Sequence, residues 1–114
     1  MEMSVDEALT AALAQQGIPH APNLYRGTAT EYITTNYQTI PEAYAERVPA
    51  AARYLVQVHY CLPHGENPNA RIRTISLALW TQGFTWPSIE NASDESGQHY
   101  VLECEYVNGG GWYG

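Results

Sequence analysis

Arg53-Tyr54-Leu55-Val56-Gln57-Val58-His59-Tyr60-Cys61-Leu62, closed by Pro63, is the stretch on which the reading of the chain turns. Tyr54, Val56, Val58, Tyr60 and Leu62 alternate with more polar neighbours, the two-residue period of a strand with one buried face. Shortly downstream, Asn67 and Pro68 open a helical pattern that runs to Gln82 and is closed by Gly83. Proline suits a first helical position and glycine ends helices. Ile72, Ile75 and Leu79 form the core stripe of that helix. A long strand feeding a helix that folds back over it is therefore the organising unit.

Leu77 and Trp80, together with Arg73, fall well away from the stripe at 100° per residue. Something else must cover the two apolar side chains, either the first helix lying alongside or a neighbouring chain. The first helix is signalled by Ser4-Val5-Asp6-Glu7, a capping box in which the Ser4 hydroxyl and the Glu7 carboxylate satisfy orphan amides. Val5, Leu9, Ala12 and Leu13 share one face of it, and Gly17 followed by Pro19 ends it.

Between this helix and the long strand, Asn23 to Thr28 and Glu31 to Asn36 are two short runs rich in Tyr and Thr, read as a hairpin. From Tyr37 to Pro49 the pattern fails, with Pro41 and Pro49 bracketing Glu42 to Arg47, and the expectation is a long loop. Beyond the second helix, Phe84 to Glu90 is extended and Pro87 confines it to an edge or a bulge. Asp94-Glu95-Ser96-Gly97 is a turn. In the last strand, His99 to Val107, Tyr100, Leu102, Cys104 and Tyr106 take one face and His99, Glu103 and Glu105 the other. The expected fold is α+β: a mainly antiparallel sheet of four to five strands with two helices packed on one face. One domain covers 1–107, and the glycine-rich tail 108–114, with Trp112 and Tyr113, does not hold a structure alone.

Composition narrows the function. The net charge is −7, with five arginines and no lysine. No basic patch for gripping phosphates can be built from sequence neighbours, which argues against sequence-specific nucleic-acid binding. Schiff-base chemistry and the phosphate-loop lysine are excluded outright. Only 15% of residues are charged while nine are tyrosine, so much of the surface is neutral or aromatic, as interfaces are. There is no apolar run long enough to span a membrane and no basic-then-apolar leader pattern, so a cytoplasmic site of synthesis is expected.

His59, Cys61, His64, His99 and Cys104 are the candidates for a metal cluster. His99 and Cys104 are five apart on one strand and point to opposite faces, and the usual ligand spacings are lacking, so no metal is expected. By the same parity Cys61 and Cys104 do not meet as a disulfide. His59 and Cys61 project side by side with no third member of a catalytic triad. Glu103 and Glu105 suit solvation better than paired acid and base work. No cofactor and no enzymatic activity are expected.

Taken together, these patterns resemble the tail terminator or tail-completion proteins of long-tailed bacteriophages, including the minor tail and tail-to-head joining types. The resemblance covers Ser4 to Val107: the capped first helix, the Tyr- and Thr-rich hairpin, and the segment with Pro41 and Tyr44. It also takes in the strand Tyr54 to Leu62, the helix Pro68 to Gln82, and Phe84-Thr85-Trp86-Pro87 through to Tyr100 to Tyr106. It implies a non-catalytic virion subunit, assembled in the host bacterial cytoplasm. Such a subunit forms a ring, typically a hexamer, at the head-proximal end of the tail tube. Its partners are the tail tube protein, a head-completion protein and its own copies, with no membrane; genome DNA passes through.

Tyr37, Ile40 and Tyr44 in the expected loop, with Leu77 and Trp80 on the helix, are the interface candidates, being apolar where the fold leaves them uncovered. Gln57, His99, Glu103 and Glu105 are the bore candidates. Six copies at −7 each carry −42, so a bore lined by the acidic strand face repels DNA rather than holding it. A head-completion or connector protein is the alternative in the same setting. From a different class, the alternative is a small ligand-binding domain or enzyme using His59 and Cys61.

Overall fold

The computed structural model describes residues 3–45 and 48–108, the side chains of 43–50 and 108 excepted. Helix α1 (Val5–Leu13) begins as its capping box requires: the Glu7 amide donates to Ser4 Oγ at 3.1 Å and the Ser4 amide to Glu7 Oε1 at 3.0 Å. A 3-10 turn over Ala14–Gln16 follows, and Gly17 at φ 73° supplies the left-handed residue that turns the chain out. The remaining elements are β1 (His20–Pro22), β2 (Tyr32–Ala45), β3 (Val48–Leu62), α2 (Asn69–Thr81), β4 (Ser88–Asn91) and β5 (Gln98–Asn108). They form one five-stranded sheet in the order β1-β2-β3-β5-β4, antiparallel except for the β1–β2 pair.

Strand β3 is the centre of this sheet, and its alternation divides the molecule. Tyr54, Val56, Val58, Tyr60 and Leu62 are all buried. They meet Val5, Leu9 and Leu13 of α1, Ile75 and Leu79 of α2, and Leu102, Cys104 and Tyr106 of β5 in one core. Both helices thus lie on one face of the sheet. The Asn67 side chain accepts the Asn69 amide at 3.0 Å at the start of α2, and Gly83 at φ 98° ends it.

Three expectations are corrected. Among the described residues the segment from Tyr37 to Pro49 is strand rather than loop: β2 runs to Ala45 and β3 starts at Val48, paired in one register from Tyr32↔Cys61 to Ala45↔Val48. The expected loop's Glu46 and Arg47 lie outside the described residues. Pro41 is tolerated because of where its nitrogen faces. The Ile33 amide donates outward to the Pro19 carbonyl and the Thr35 carbonyl accepts outward from the Asn23 amide. By two-residue alternation Pro41 faces that same outer edge, where no ladder bond is lost. Among the expected interface residues, Tyr37, Ile40 and Tyr44 therefore lie on a strand; the Tyr44 side chain is outside the described residues.

The hairpin of Asn23–Thr28 with Glu31–Asn36 is also replaced. Its second run opens β2, but β2's outer partner is the short parallel β1. Asn23, at φ 63°, ends β1 in a left-handed turn, and Tyr25 folds back so that its hydroxyl accepts the Ala29 amide at 3.0 Å. Nor does α1 cover Leu77 and Trp80, which remain 52% and 56% exposed. α2 meets α1 along another flank and is tied to the turn that follows α1, where the Arg71 guanidinium donates to the Gln16 carbonyl. The expected glycine-rich tail lies, from 109 on, outside the described residues.

Pairing of β3 with β5 ends at Ala52↔Asn108, whereas β2 and β3 go on to Ala45↔Val48. A two-stranded arm thus leaves the sheet, and the molecule measures 54 × 25 × 24 Å.

Candidate functional site

The face of the sheet away from the helices carries the polar alternates of three strands. Register sets them in rungs: Asn36 beside Gln57 beside Glu103, Thr34 beside His59 beside Val101, and Tyr32 beside Cys61 beside His99. All four bore candidates, Gln57, His99, Glu103 and Glu105, stand on this one open face. Cys104 stands on the other, buried in the core, and both cysteines are free.

The face is cross-linked between strands rather than bare. Arg53 joins three of them, with Nη2 at 2.7 Å from Glu42 Oε1 and Nη1 at 3.3 Å from Glu105 Oε1. Gln57 Nε2 donates to Glu103 Oε1 at 3.4 Å. Glu103 and Glu105 therefore have separate partners instead of forming a carboxylate pair.

One rung further, Asn36 Nδ2 lies 2.9 Å from His59 Nε2, and His59 Nδ1 lies 2.8 Å from His99 Nε2. Burial holds His59 below its ordinary value, the neighbouring His99 adds to this, and Glu103 opposes it. Burial likewise pushes the Cys61 thiol up, with the Tyr32 hydroxyl bond opposing. A thiol so placed stays protonated near neutral pH and is a poor nucleophile.

Grooves cross the face. One, of about 560 Å³, runs over Leu55, Gln57, Glu103 and Glu105 and is walled by Trp86. Another, of about 400 Å³, holds His59, Cys61 and His99 with Asn36, Tyr25 and Tyr32. Of the five metal-cluster candidates the structure gathers His59, Cys61 and His99. His64 Nε2 instead donates to the Asp94 carbonyl at 2.7 Å. Among the described residues, no group of three or more His, Cys, Asp and Glu is arranged to hold a metal ion.

The second surface feature is aromatic. Trp80 and Trp86 lie with ring centroids 6.4 Å apart, and Leu77 is also exposed. Tyr37 is less free: its hydroxyl donates to Asp6 Oδ2 at 3.1 Å and its ring meets Tyr54 edge-on at 5.4 Å. Sequence reasoning missed Arg53, Asn36 and Trp86. Parity along β3 puts Arg53 on the open face, but its bridging depends on which strands flank it.

No protein-family model matches the chain, and neither does any curated protein.

Proposed function

We propose that this chain is a structural subunit of a long-tailed bacteriophage that closes into a ring on the end of the tail tube. There it stops tube growth and offers the surface on which the head docks. The observation that carries the reading is a sheet with two unlike open edges. Among the described residues, the outer edge of β2 pairs with no strand beyond Thr35, and the outer edge of β4 pairs with none. Rings need such a heterologous interface, in which one patch meets a different patch on the next copy. The arm is a further support, because a two-stranded hairpin is marginal alone and gains from a neighbour's cover. Exposed Leu77, Trp80 and Trp86 add apolar area of the kind interfaces use.

In this reading Gln57, His99, Glu103 and Glu105 line the bore, and Arg53 offsets part of the acidity there. DNA then passes without being held. The resemblance over Ser4 to Val107 supplies the tube end as the place of assembly. The experiment is assembly of tail tubes from their purified tube protein with and without this chain. Tubes of arrested length with the chain at one end are expected; an unchanged length distribution with bare ends would refute the proposal.

A further inference from the structure

We propose that Asn36, His59 and His99 form a one-proton switch that reverses the hydrogen-bonding polarity of the open face. The inference stands on contacts within one chain and is independent of the ring reading.

The protonation pattern follows from the donors. The Asn36 amide nitrogen, 2.9 Å from His59 Nε2, can only donate. His59 Nε2 must therefore hold a lone pair, so in the neutral ring Nδ1 carries the proton. That proton is donated to His99 Nε2 at 2.8 Å, which must also hold a lone pair. The chain of donors runs Asn36 to His59 to His99, and the lone pairs at both contacts are occupied.

A proton arriving from solvent has two places to go. At His99 Nε2 it would face the His59 Nδ1–H, two donors 2.8 Å apart, and the contact would part. At His59 Nε2 it faces the Asn36 NH2, and here relief is local: the amide turns about its last single bond and presents Oδ1 as an acceptor. The His59 bond to His99 survives. Uptake at His59 Nε2 therefore keeps both contacts of the chain filled, whereas uptake at His99 Nε2 breaks one.

The surroundings favour a single charge. Glu103 on β5 acts on His59 directly. Glu90 on β4 stands on the same rung as His59, beyond Val101, and Asp94, in the turn before β5, acts on Cys61. Cys61, Tyr32 and Tyr25 are the remaining titratable neighbours, and none brings a positive charge. Burial delays the uptake, since His59 lies below its ordinary value of 6.5. Its contribution to stability is therefore fully present above the unfolded-state value and is lost as pH falls through the folded one.

Asn36 is exposed and is the first residue of β2 beyond the β1 pairing. Before uptake its carbonyl oxygen is directed outward; afterwards its NH2 group is, beside a new positive charge. A partner seated on this groove meets an acceptor in one state and a donor in the other.

The test is a nitrogen-15 NMR titration of the intact chain, following the imidazole nitrogens and the Asn36 side-chain amide. At neutral pH His59 is expected as the Nδ1–H tautomer. On acidification the Asn36 amide signals move with the same midpoint as His59, with one proton taken up in that step. Asn36→Asp, whose carboxylate accepts without turning, is expected to give a higher His59 midpoint than Asn36→Leu, which offers no acceptor. An Nε2–H tautomer of His59 at neutral pH, or Asn36 signals that ignore the His59 transition, would overturn the proposal. So would identical His59 midpoints in both variants. The wild-type titration decides the matter even if a variant fails to fold.

Discussion

Leu79 and Trp80 are neighbours on α2 with opposite fates, and replacing each by alanine separates core from surface. Leu79 is fully buried in the core under the sheet, and Trp80 is 56% exposed. Leu79→Ala removes buried methylenes and leaves a cavity, which costs about 3–5 kcal/mol. Trp80→Ala removes a much larger side chain, but mainly its contact with Trp86, and such aromatic pairs contribute about 0.5–1.5 kcal/mol. With a urea slope of about 1.5 kcal/mol per molar, typical of small domains, the Leu79 variant loses about 2 M or more in midpoint. The Trp80 variant loses less than about 1 M. Equilibrium urea unfolding followed by circular dichroism reads both. In the ring reading the Trp80 variant also weakens self-association while keeping its fold. A Trp80 variant as unstable as the Leu79 variant would refute the assignment of α2's faces.

Two further outcomes follow from local chemistry. Ser4→Ala removes the hydroxyl that accepts the Glu7 amide and is expected to cost about 1 kcal/mol, read by thermal or urea unfolding. Glu7 is held below its ordinary value of 4.5, first by the Ser4 backbone amide and then by the Ser4 hydroxyl. Its stabilisation is present above the unfolded-state value and lost as pH falls through the folded one, so the difference between wild type and Glu7→Gln shrinks in acid. Burial pushes the Cys104 thiol up to about 12, whereas Cys61 is half-buried at the groove. A thiol reagent at mildly alkaline pH is expected to label Cys61 first and Cys104 only on unfolding, as peptide mapping would show; equal labelling rates would contradict it.

The fold was legible where side-chain period alone decides. The alternation from Tyr54 to Leu62 places β3 in the middle of the core, and Tyr100 to Tyr106 does the same for β5. Ser4 with Glu7 fixes the start of α1. It was illegible where tertiary placement decides. Pro41 looks like a breaker until the outer edge of β2 is seen to be open, so the arm read as a loop. Tyr and Thr serve strands and irregular chain equally well, so 23–28 read as a strand until the left-handed Asn23 ended β1. The open face was half legible: parity put Gln57, His99, Glu103 and Glu105 on outward positions. The contacts between His59 and His99, and between Arg53 and its two glutamates, depend on register between strands far apart in sequence. Leu77 and Trp80 were recognised as uncovered, but small side chains on α1 gave no sign of which flank of α2 it takes.

The measurement that bears most directly on the central claim is the solution mass by light scattering, over a range of concentration and salt, with and without purified tail tubes. A chain of 12.7 kDa that closes into a ring of six is expected to show a particle of six times that mass, alone or on tube ends. A mass of one chain at every concentration, with no binding to tubes, would contradict the account.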